Sequence, residues 1–210
     1  MLDRIAEEDI HTPRNMHEVI DLIRQFPNAL VFAGGSSIMS EAFNVPIQGR
    51  FHDSKPSRLR LIDISAVEEL NKVRRLEKYL EIGAAVSLAR LLSISGNVIP
   101  DILHKALYNT ATLSVRNLAT LGGTIASGTS YSTLIPVLCV MDAQAELKGP
   151  EGSRWLSLSR HFMQADHPEI PQREIITRIR IPYGKWNFNI FRKIARKKTQ
   201  SHPSLIFCGL

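Results

Sequence analysis

Two glycine-rich stretches decide the fold of this 210-residue chain: Ala33-Gly34-Gly35-Ser36-Ser37 and, much later, Thr120-Leu121-Gly122-Gly123-Thr124. Each lies in or just after an apolar run, and each carries hydroxyl side chains beside its glycines. Glycine lets a backbone come close to a phosphate, and it permits the left-handed dihedrals that aim successive N–H groups at one anion. The two stretches together therefore predict a single diphosphate group that is held from two parts of the chain.

The sequence around both stretches resembles the FAD-binding subunit or domain of the molybdenum hydroxylases, the family of xanthine dehydrogenase and aerobic carbon monoxide dehydrogenase. Residues 31–38, VFAGGSSI, resemble the family's AGG(H/T)(S/D) loop, and residues 114–126, SVRNLATLGGTIA, resemble its longer IRNxATIGGNIA stretch. Residues 80–84 resemble the family's LxIGA strand, and residues 176–182 resemble the strand that precedes its C-terminal domain. These motifs follow one another in the family's order.

The resemblance implies that FAD is the cofactor and that it is bound without a covalent link. It assigns the cofactor to the two glycine stretches and to one later threonine. The implied contacts are Ala33, Gly34, Gly35, Ser36, Ser37, Ile38, Thr120, Gly122, Gly123, Thr124 and Thr133. No catalytic side chain is expected, because the flavin carries the redox chemistry.

Three departures from the family pattern bear on this site. The family has Asn where Thr124 stands, and its ASPxSDL segment corresponds to residues 128–134, so that Thr133 takes the place of the aspartate. Shorter or neutral side chains at these positions predict weaker FAD binding. The third departure is length, because the family continues into a separate C-terminal domain that is absent from this sequence. The chain is expected to be either naturally short or a truncated piece.

Local patterns predict alternating helices and strands. Apolar residues recur at helical spacing from residue 16 to residue 25, and Asn15 with Glu18 resembles a capping pair at the start of this helix. Residues 29–33 are typical of a short buried strand that leads into the first glycine stretch. Further helices are predicted at 86–92 and 101–108, and further strands at 59–64, 79–83, 144–148, 174–181 and 188–195.

The order strand, glycine turn and helix lacks the GxGxxG spacing of a nicotinamide-binding Rossmann unit. The resemblance instead implies an α+β, two-subdomain FAD-binding fold of the PCMH and vanillyl-alcohol-oxidase type. A small βαβ subdomain would pack against a larger one with a mixed or antiparallel sheet, and FAD would lie in the groove between them. The expected divisions are 1–55, 56–185 and a truncated C-terminal region at 186–210, with the Pro- and Gly-containing segment 44–57 at the first boundary.

The charge of the chain is uneven. The net charge is +6, and basic residues concentrate between Arg173 and Lys198, where Glu174 is the only acid. Arg178 and Arg180 alternate with apolar residues as in a strand. This pattern favours a solvated sheet face, an edge that faces the dinucleotide or a subunit contact over nucleic-acid binding.

Composition limits the location and the metal content of the protein. No apolar run approaches the length of a membrane span, and the first residues are too polar for a signal peptide, so a cytoplasmic protein is expected. The two cysteines form no Cys-x-x-Cys motif, and the histidines show no metal-ligand spacing. A metal or iron–sulfur site on this chain is therefore not expected.

The resemblance thus implies an oxidoreductase subunit that passes electrons through FAD to NAD or another acceptor. Its expected partners are a molybdopterin-binding large subunit and an iron–sulfur subunit, with no nucleic acid and no membrane. One alternative is a non-catalytic assembly subunit that keeps the fold and has weak or lost FAD binding. Another alternative is a stand-alone flavin oxidoreductase, but such enzymes carry a substrate-capping domain for which this chain has no room.

Overall fold

The computed structural model of the protein describes residues 10–38, 60–94, 98–129, 132–164, 170–171, 173–184, 186, 188–195 and 203–210. In chain order its elements are β1 (Ile10–His11), α1 (Met16–Gln25), β2 (Leu30–Phe32), β3 (Leu61–Asp63), a 3-10 helix (Glu68–Asn71), β4 (Val73–Arg75), β5 (Tyr79–Gly83), α2 (Leu88–Ser93), α3 (Asp101–Tyr108), α4 (Leu113–Leu118), α5 (Leu121–Ser127), α6 (Ile135–Val140), β6 (Gln144–Gly149), β7 (Gly152–Ser157), α7 (Leu158–Gln164), β8 (Ile175–Pro182), β9 (Ile190–Ala195) and β10 (Pro203–Gly209). None of the described helices has the length and apolarity needed to cross a bilayer.

Helix α1 has the bounds that the sequence predicts. The side chain of Asn15 accepts a hydrogen bond from the backbone N–H of Glu18 at 3.0 Å. In return, the Glu18 carboxylate accepts hydrogen bonds from the Asn15 amide at 2.7 Å and from the Arg14 N–H at 2.8 Å. These bonds satisfy N–H groups that have no partner within a first helical turn. The predicted capping pair is confirmed.

The amino-terminal part of the described chain forms a three-stranded parallel sheet in the order β1-β3-β2. Its core contains Val19 and Ile23 of α1, Ile62 of β3, and Val67. Strand β3 follows the expected boundary at residues 55–56, so the sheet uses strands from both sides of it. The predicted boundary segment, residues 44–57, lies outside the described residues, and the predicted divisions of the chain stay predictions.

The larger sheet has five antiparallel strands in the order β4-β5-β8-β6-β7. One face of it is apolar and packs against the helices, so that Ile82, Leu147 and Ile179 lie in one core with residues of α2, α3, α5 and α6. Strands β9 and β10 form a separate antiparallel hairpin. The predicted α+β class, with a small unit and a larger antiparallel sheet, is confirmed.

The opposite face of the large sheet carries paired charges. Arg178 contacts Glu146 through Nε at 2.7 Å and through Nη2 at 2.9 Å, and its Nη1 donates to Glu81 at 3.2 Å. Arg180 donates to Glu81 at 3.3 Å, and its guanidinium lies 4.1 Å from the centre of the Trp155 ring. The side chains of Glu81 and Glu146 are only 8% and 12% exposed. The side chains of Arg178 and Arg180 are 40% and 26% exposed, so the arginines of this face are partly solvated and the carboxylates between them are buried.

The environment of Glu146 favours its charged form. Burial alone would raise the pKa of this carboxyl group, but hydrogen bonds from Arg178 and Thr177 outweigh burial and lower the pKa below its ordinary value. The pairing correspondingly raises the pKa of Arg178. A carboxyl group whose pKa is lower in the folded state stabilises that state once it is ionised.

We expect Glu146→Gln to lower the free energy of unfolding by about 1–3 kcal/mol near neutral pH, because Arg178 loses a charged, bidentate partner. The pKa of Glu146 is lowered on folding, so this difference should be complete above the ordinary carboxyl pKa of 4.5. It should disappear as the pH falls through the folded-state value. Urea denaturation of the wild type and of Glu146→Gln, from neutral pH to a pH below the folded-state pKa of Glu146, measures this difference in the free energy of unfolding.

Glu68→Gln is the matched control, because Glu68 pairs with Lys72 on the surface and its side chain is 81% exposed. A surface pair of this kind contributes little to stability. Equal losses in the two variants, or a loss at Glu146 that persists at low pH, would contradict the proposed role of the Glu146 charge.

Candidate functional site

The two glycine stretches meet in the folded chain. A Cβ atom added to Gly34 would lie 1.6 Å from the carbonyl oxygen of Leu118, so the two backbones are in direct contact. Leu118 ends α4, and Thr120 begins the second glycine stretch two residues later. The first stretch therefore contacts the backbone that leads into the second stretch, and the shared diphosphate stays a prediction.

The first stretch begins just beyond the end of β2. Gly35 has a φ of +64°, which is left-handed as predicted, and helical residues start at Ser36. Among the described residues, no backbone carbonyl accepts a hydrogen bond from the N–H groups of residues 34–38. N–H groups at the start of a helix form an anion-binding site, because they point in one direction and carry partial positive charge. This part of the chain therefore fits a phosphate group.

The second stretch is the first turn of helix α5, not a left-handed turn. The N–H of Gly123 donates to the hydroxyl oxygen of Thr120 at 3.0 Å, which caps the helix. The N–H groups of Leu121, Gly122 and Thr124 donate to the carbonyls of Val86, Ala84 and Thr120 at 3.0–3.1 Å. The expectation of left-handed dihedrals is wrong at Gly122 and Gly123, since these residues are helical and their N–H groups are already bonded within the protein.

Gly122 is required by packing. A Cβ atom there would lie 2.5 Å from the Cβ of Ala84 and 2.8 Å from the Ala84 carbonyl oxygen. A Cβ at Gly123 would lie 2.9 Å from the hydroxyl oxygen of Thr120, which would disturb the helix cap. The glycine pair thus lets α5 approach the end of β5, and this close approach holds the second stretch beside the first.

The predicted hydroxyl contacts differ in their surroundings. Thr120 is 6% exposed and serves as the cap of α5. The hydroxyl of Thr124 donates to the Thr120 carbonyl at 2.9 Å. Thr133 is 5% exposed and lies just before α6, where the Ser132 hydroxyl oxygen accepts the N–H of Leu134. The remaining predicted contacts, Ala33, Ser36, Ser37 and Ile38, are half-buried. Their contact with FAD stays a prediction.

Arg116 of the second motif orders the loop that precedes α4. Its Nη1 donates to the carbonyls of Tyr108, Thr110 and Ala111 at 3.3, 3.0 and 2.9 Å. Ala111 has a φ of 51°, which is uncommon for a residue other than glycine. Arg116 therefore orders this loop by hydrogen bonds, and the sequence pattern does not name the carbonyls that it binds.

The family described as the FAD binding domain in molybdopterin dehydrogenase matches residues 5–184. This chain belongs to that family, and FAD is the cofactor that the family binds. The resemblance inferred from the two glycine motifs is thereby confirmed. The arrangement at Gly35 agrees with the assignment, because a left-handed glycine leading into a helix start suits the diphosphate of the cofactor.

Known proteins resemble this chain over nearly its whole length. Aldehyde oxidase 2 from Cavia porcellus is 33% identical over 204 residues, which cover 91% of this chain and 15% of that protein. Aldehyde oxidase from Homo sapiens is 30% identical over 200 residues, which cover 89% and 14%. The chain thus spans only a small part of these curated relatives.

Two solved structures share the fold. Quinoline 2-oxidoreductase from Pseudomonas putida 86 superposes with a TM-score of 0.81 at 25% identity, covering 94% of this chain and 66% of that one. The Cu,Mo-CO dehydrogenase superposes with a TM-score of 0.80 at 21% identity, covering 95% and 68%. The fold is therefore common to this chain and to chains of these two solved structures.

We expect Gly34→Ala to lower the free energy of unfolding by about 1–3 kcal/mol, because the new methyl group must push α4 away from the first stretch. Gly209→Ala is the control, since a Cβ there would lie 3.6 Å from Ile190, an ordinary contact distance. Chemical denaturation of wild type, Gly34→Ala and Gly209→Ala gives the free energy of unfolding lost in each variant. A loss no larger at Gly34 than at Gly209 would show that the contact with Leu118 is not tight in solution.

Proposed function

We propose that this chain is the FAD-binding electron-transfer subunit of a molybdenum hydroxylase complex, which is an oxidoreductase. The observation that supports this proposal is the contact of the first glycine stretch with the chain just before the second, within a member of the FAD-binding family. The relatives support it, because aldehyde oxidase, quinoline 2-oxidoreductase and Cu,Mo-CO dehydrogenase are oxidoreductases by name.

The two stretches would have different roles in binding the cofactor. The N–H groups of residues 34–38 would donate to the diphosphate, and the hydroxyls of Ser36 and Ser37 would add uncharged donors. The second stretch would act mainly as support, because its N–H groups are occupied within the protein. Its contact with Gly34 would keep the first stretch in place.

Bound FAD would accept electrons from iron–sulfur clusters on a partner subunit and deliver them to NAD or another acceptor. A molybdopterin-binding large subunit would oxidise the substrate, in keeping with the family's description as a domain of molybdopterin dehydrogenases. This chain would contribute binding and orientation and no catalytic acid, base or nucleophile.

A titration of the purified chain with FAD tests the proposal, and Gly35→Val should abolish binding. Valine disfavours the left-handed φ of +64° at this position, so the N–H groups that follow would no longer point at one anion. Gly152→Val is the matched control, because Gly152 also has a positive φ, of +131°, but is the first residue of β7, where it pairs with Gly149 of β6.

The wild type and the Gly152→Val variant should both quench the fluorescence of FAD, and the two titrations should give the same dissociation constant. Stoichiometric FAD binding by a folded Gly35→Val protein would contradict the assignment of the diphosphate to this turn. Circular dichroism of each variant establishes that it is folded.

One observation favours the alternative of an assembly subunit with weak FAD binding. The hydroxyl of Thr124, where the family has Asn, is already bonded to the Thr120 carbonyl and offers no free donor. In this alternative the chain would keep the contacts between subunits, and another component would carry the electrons.

Thr124→Asn should raise the affinity for FAD up to about tenfold, the equivalent of one additional hydrogen bond. Ser93→Asn is the control, because the Ser93 hydroxyl makes a similar bond to the Arg90 carbonyl at 2.8 Å in α2. Equal affinities of wild type and Thr124→Asn would show that the threonine is neutral. No binding by either protein would favour the assembly subunit.

A further inference from the structure

The loop after α3 presents four successive carbonyl groups to two cationic side chains. Arg116 binds the carbonyls of Tyr108, Thr110 and Ala111, as described above. The fourth carbonyl, that of Asn109, accepts a hydrogen bond from Nζ of Lys193 at 2.8 Å. Carbonyls at a helix end have no partners within the helix and carry partial negative charge, so cations stabilise them.

Lys193 comes from a part of the chain outside the matched FAD-binding domain. It lies in β9, whereas the family match ends at residue 184. In the hairpin it pairs with Ile206, and this inner face of the hairpin packs against the large core through Phe191 and Cys208. Lys193 is half-buried, and burial lowers the pKa of its ammonium group. The hydrogen bond to Asn109 therefore joins the hairpin to the loop in a partly desolvated place.

Helix α4 is exposed on much of its surface, contacts α2, and is joined at each end to a segment that other parts of the chain hold. None of its six residues is buried, and its apolar side chains Leu113 and Leu118 are 64% and 58% exposed. One end of α4 is joined to the loop that Arg116 and Lys193 bind. The other end places the Leu118 carbonyl against Gly34. A movement of the loop would therefore be transmitted to the first glycine stretch.

We propose that Lys193 and Arg116 are positioning residues for the cofactor site. Together they hold residues 108–111, and through α4 they keep Leu118 in contact with the first glycine stretch. The hairpin thus controls the affinity of a site to which it contributes no described contact. This inference rests on the proposed function, in which FAD binds at that stretch.

FAD titration of Lys193 variants tests the proposal. Lys193→Met keeps the length of the side chain and removes the donor, and we expect FAD to bind about tenfold more weakly, the equivalent of one charged hydrogen bond. Lys193→Arg keeps a charged donor and should restore most of the affinity. Lys105→Met is the matched control. Lys105 pairs with Asp101 at 2.6 Å within α3, its side chain is 49% exposed, and its hydrogen bond to Asn189 before β9 is long, at 3.4 Å.

Hydrogen exchange in the absence of FAD supplies a second measurement. Peptides that cover residues 109–119 should exchange faster in Lys193→Met than in Lys105→Met, while peptides from α1 should not change. If Lys193→Met does not fold, Lys193→Gln, which keeps a neutral donor, takes its place in both measurements. A lower melting temperature alone, with unchanged affinity, would indicate a merely structural role.

The outcomes separate this inference from the proposed function. Equal dissociation constants for FAD in wild type and Lys193→Met would overturn the positioning role and leave the proposed function standing. Equal losses in Lys193→Met and Lys105→Met would overturn it as well. A wild-type chain that binds no FAD would overturn both the proposed function and the cofactor role of Lys193, whereas faster exchange at residues 109–119 would still report the loop contact.

Discussion

The close contact between Gly34 and the Leu118 carbonyl is the constraint on which the rest of the site depends. It joins the end of a parallel strand in the small sheet to a short helix that belongs to the layer over the large sheet. No residue with a Cβ atom fits at position 34 without moving one of the two backbones. The contact brings the first stretch against the chain just before the second, although the two are distant in sequence, and other elements hold each side of it in place.

Each side of this contact has its own support. On one side, α1 and the parallel sheet share a small core around Ile62, and β2 leads directly into the left-handed Gly35. On the other side, α5 packs so closely on the end of β5 that Gly122 has no space for a methyl group beside Ala84. The large sheet has an apolar core on one face and the arginine–carboxylate network on the other. Close packing and paired charges thus stabilise the elements on both sides of the contact.

The two glycine stretches resemble each other in sequence but perform different tasks. At Gly35 glycine provides a backbone conformation that leaves the following N–H groups without described acceptors, so they suit an anion. At Gly122 it provides space, and the neighbouring N–H groups are bonded to Ala84, Val86 and Thr120. A glycine motif therefore indicates that a backbone must approach something closely, but it does not say whether that is a phosphate or another backbone.

The sequence by itself determined the features that depend on neighbouring residues and on family motifs. The periodicity of α1 and its capping pair predicted that helix at its observed bounds, and the two glycine motifs identified the family and its cofactor. Strand β5 was also predicted at its observed bounds, since its residues have local strand preference. Short-range hydrogen bonds and amphipathic spacing require no knowledge of distant parts of the chain.

Only the tertiary structure decided what the distant partners are. The second glycine stretch is helical because Thr120 caps it and because carbonyls from the end of β5 and from Val86 accept its N–H groups. Arg178 forms ion pairs because strand pairing brings the carboxylates of Glu81 and Glu146 beside it. Packing of the hairpin also brings Lys193 of β9 to the Asn109 carbonyl, with which it forms a hydrogen bond. These contacts join residues far apart in sequence, and local propensity carries no information about which carbonyl or carboxylate a folded chain will bring to a given side chain.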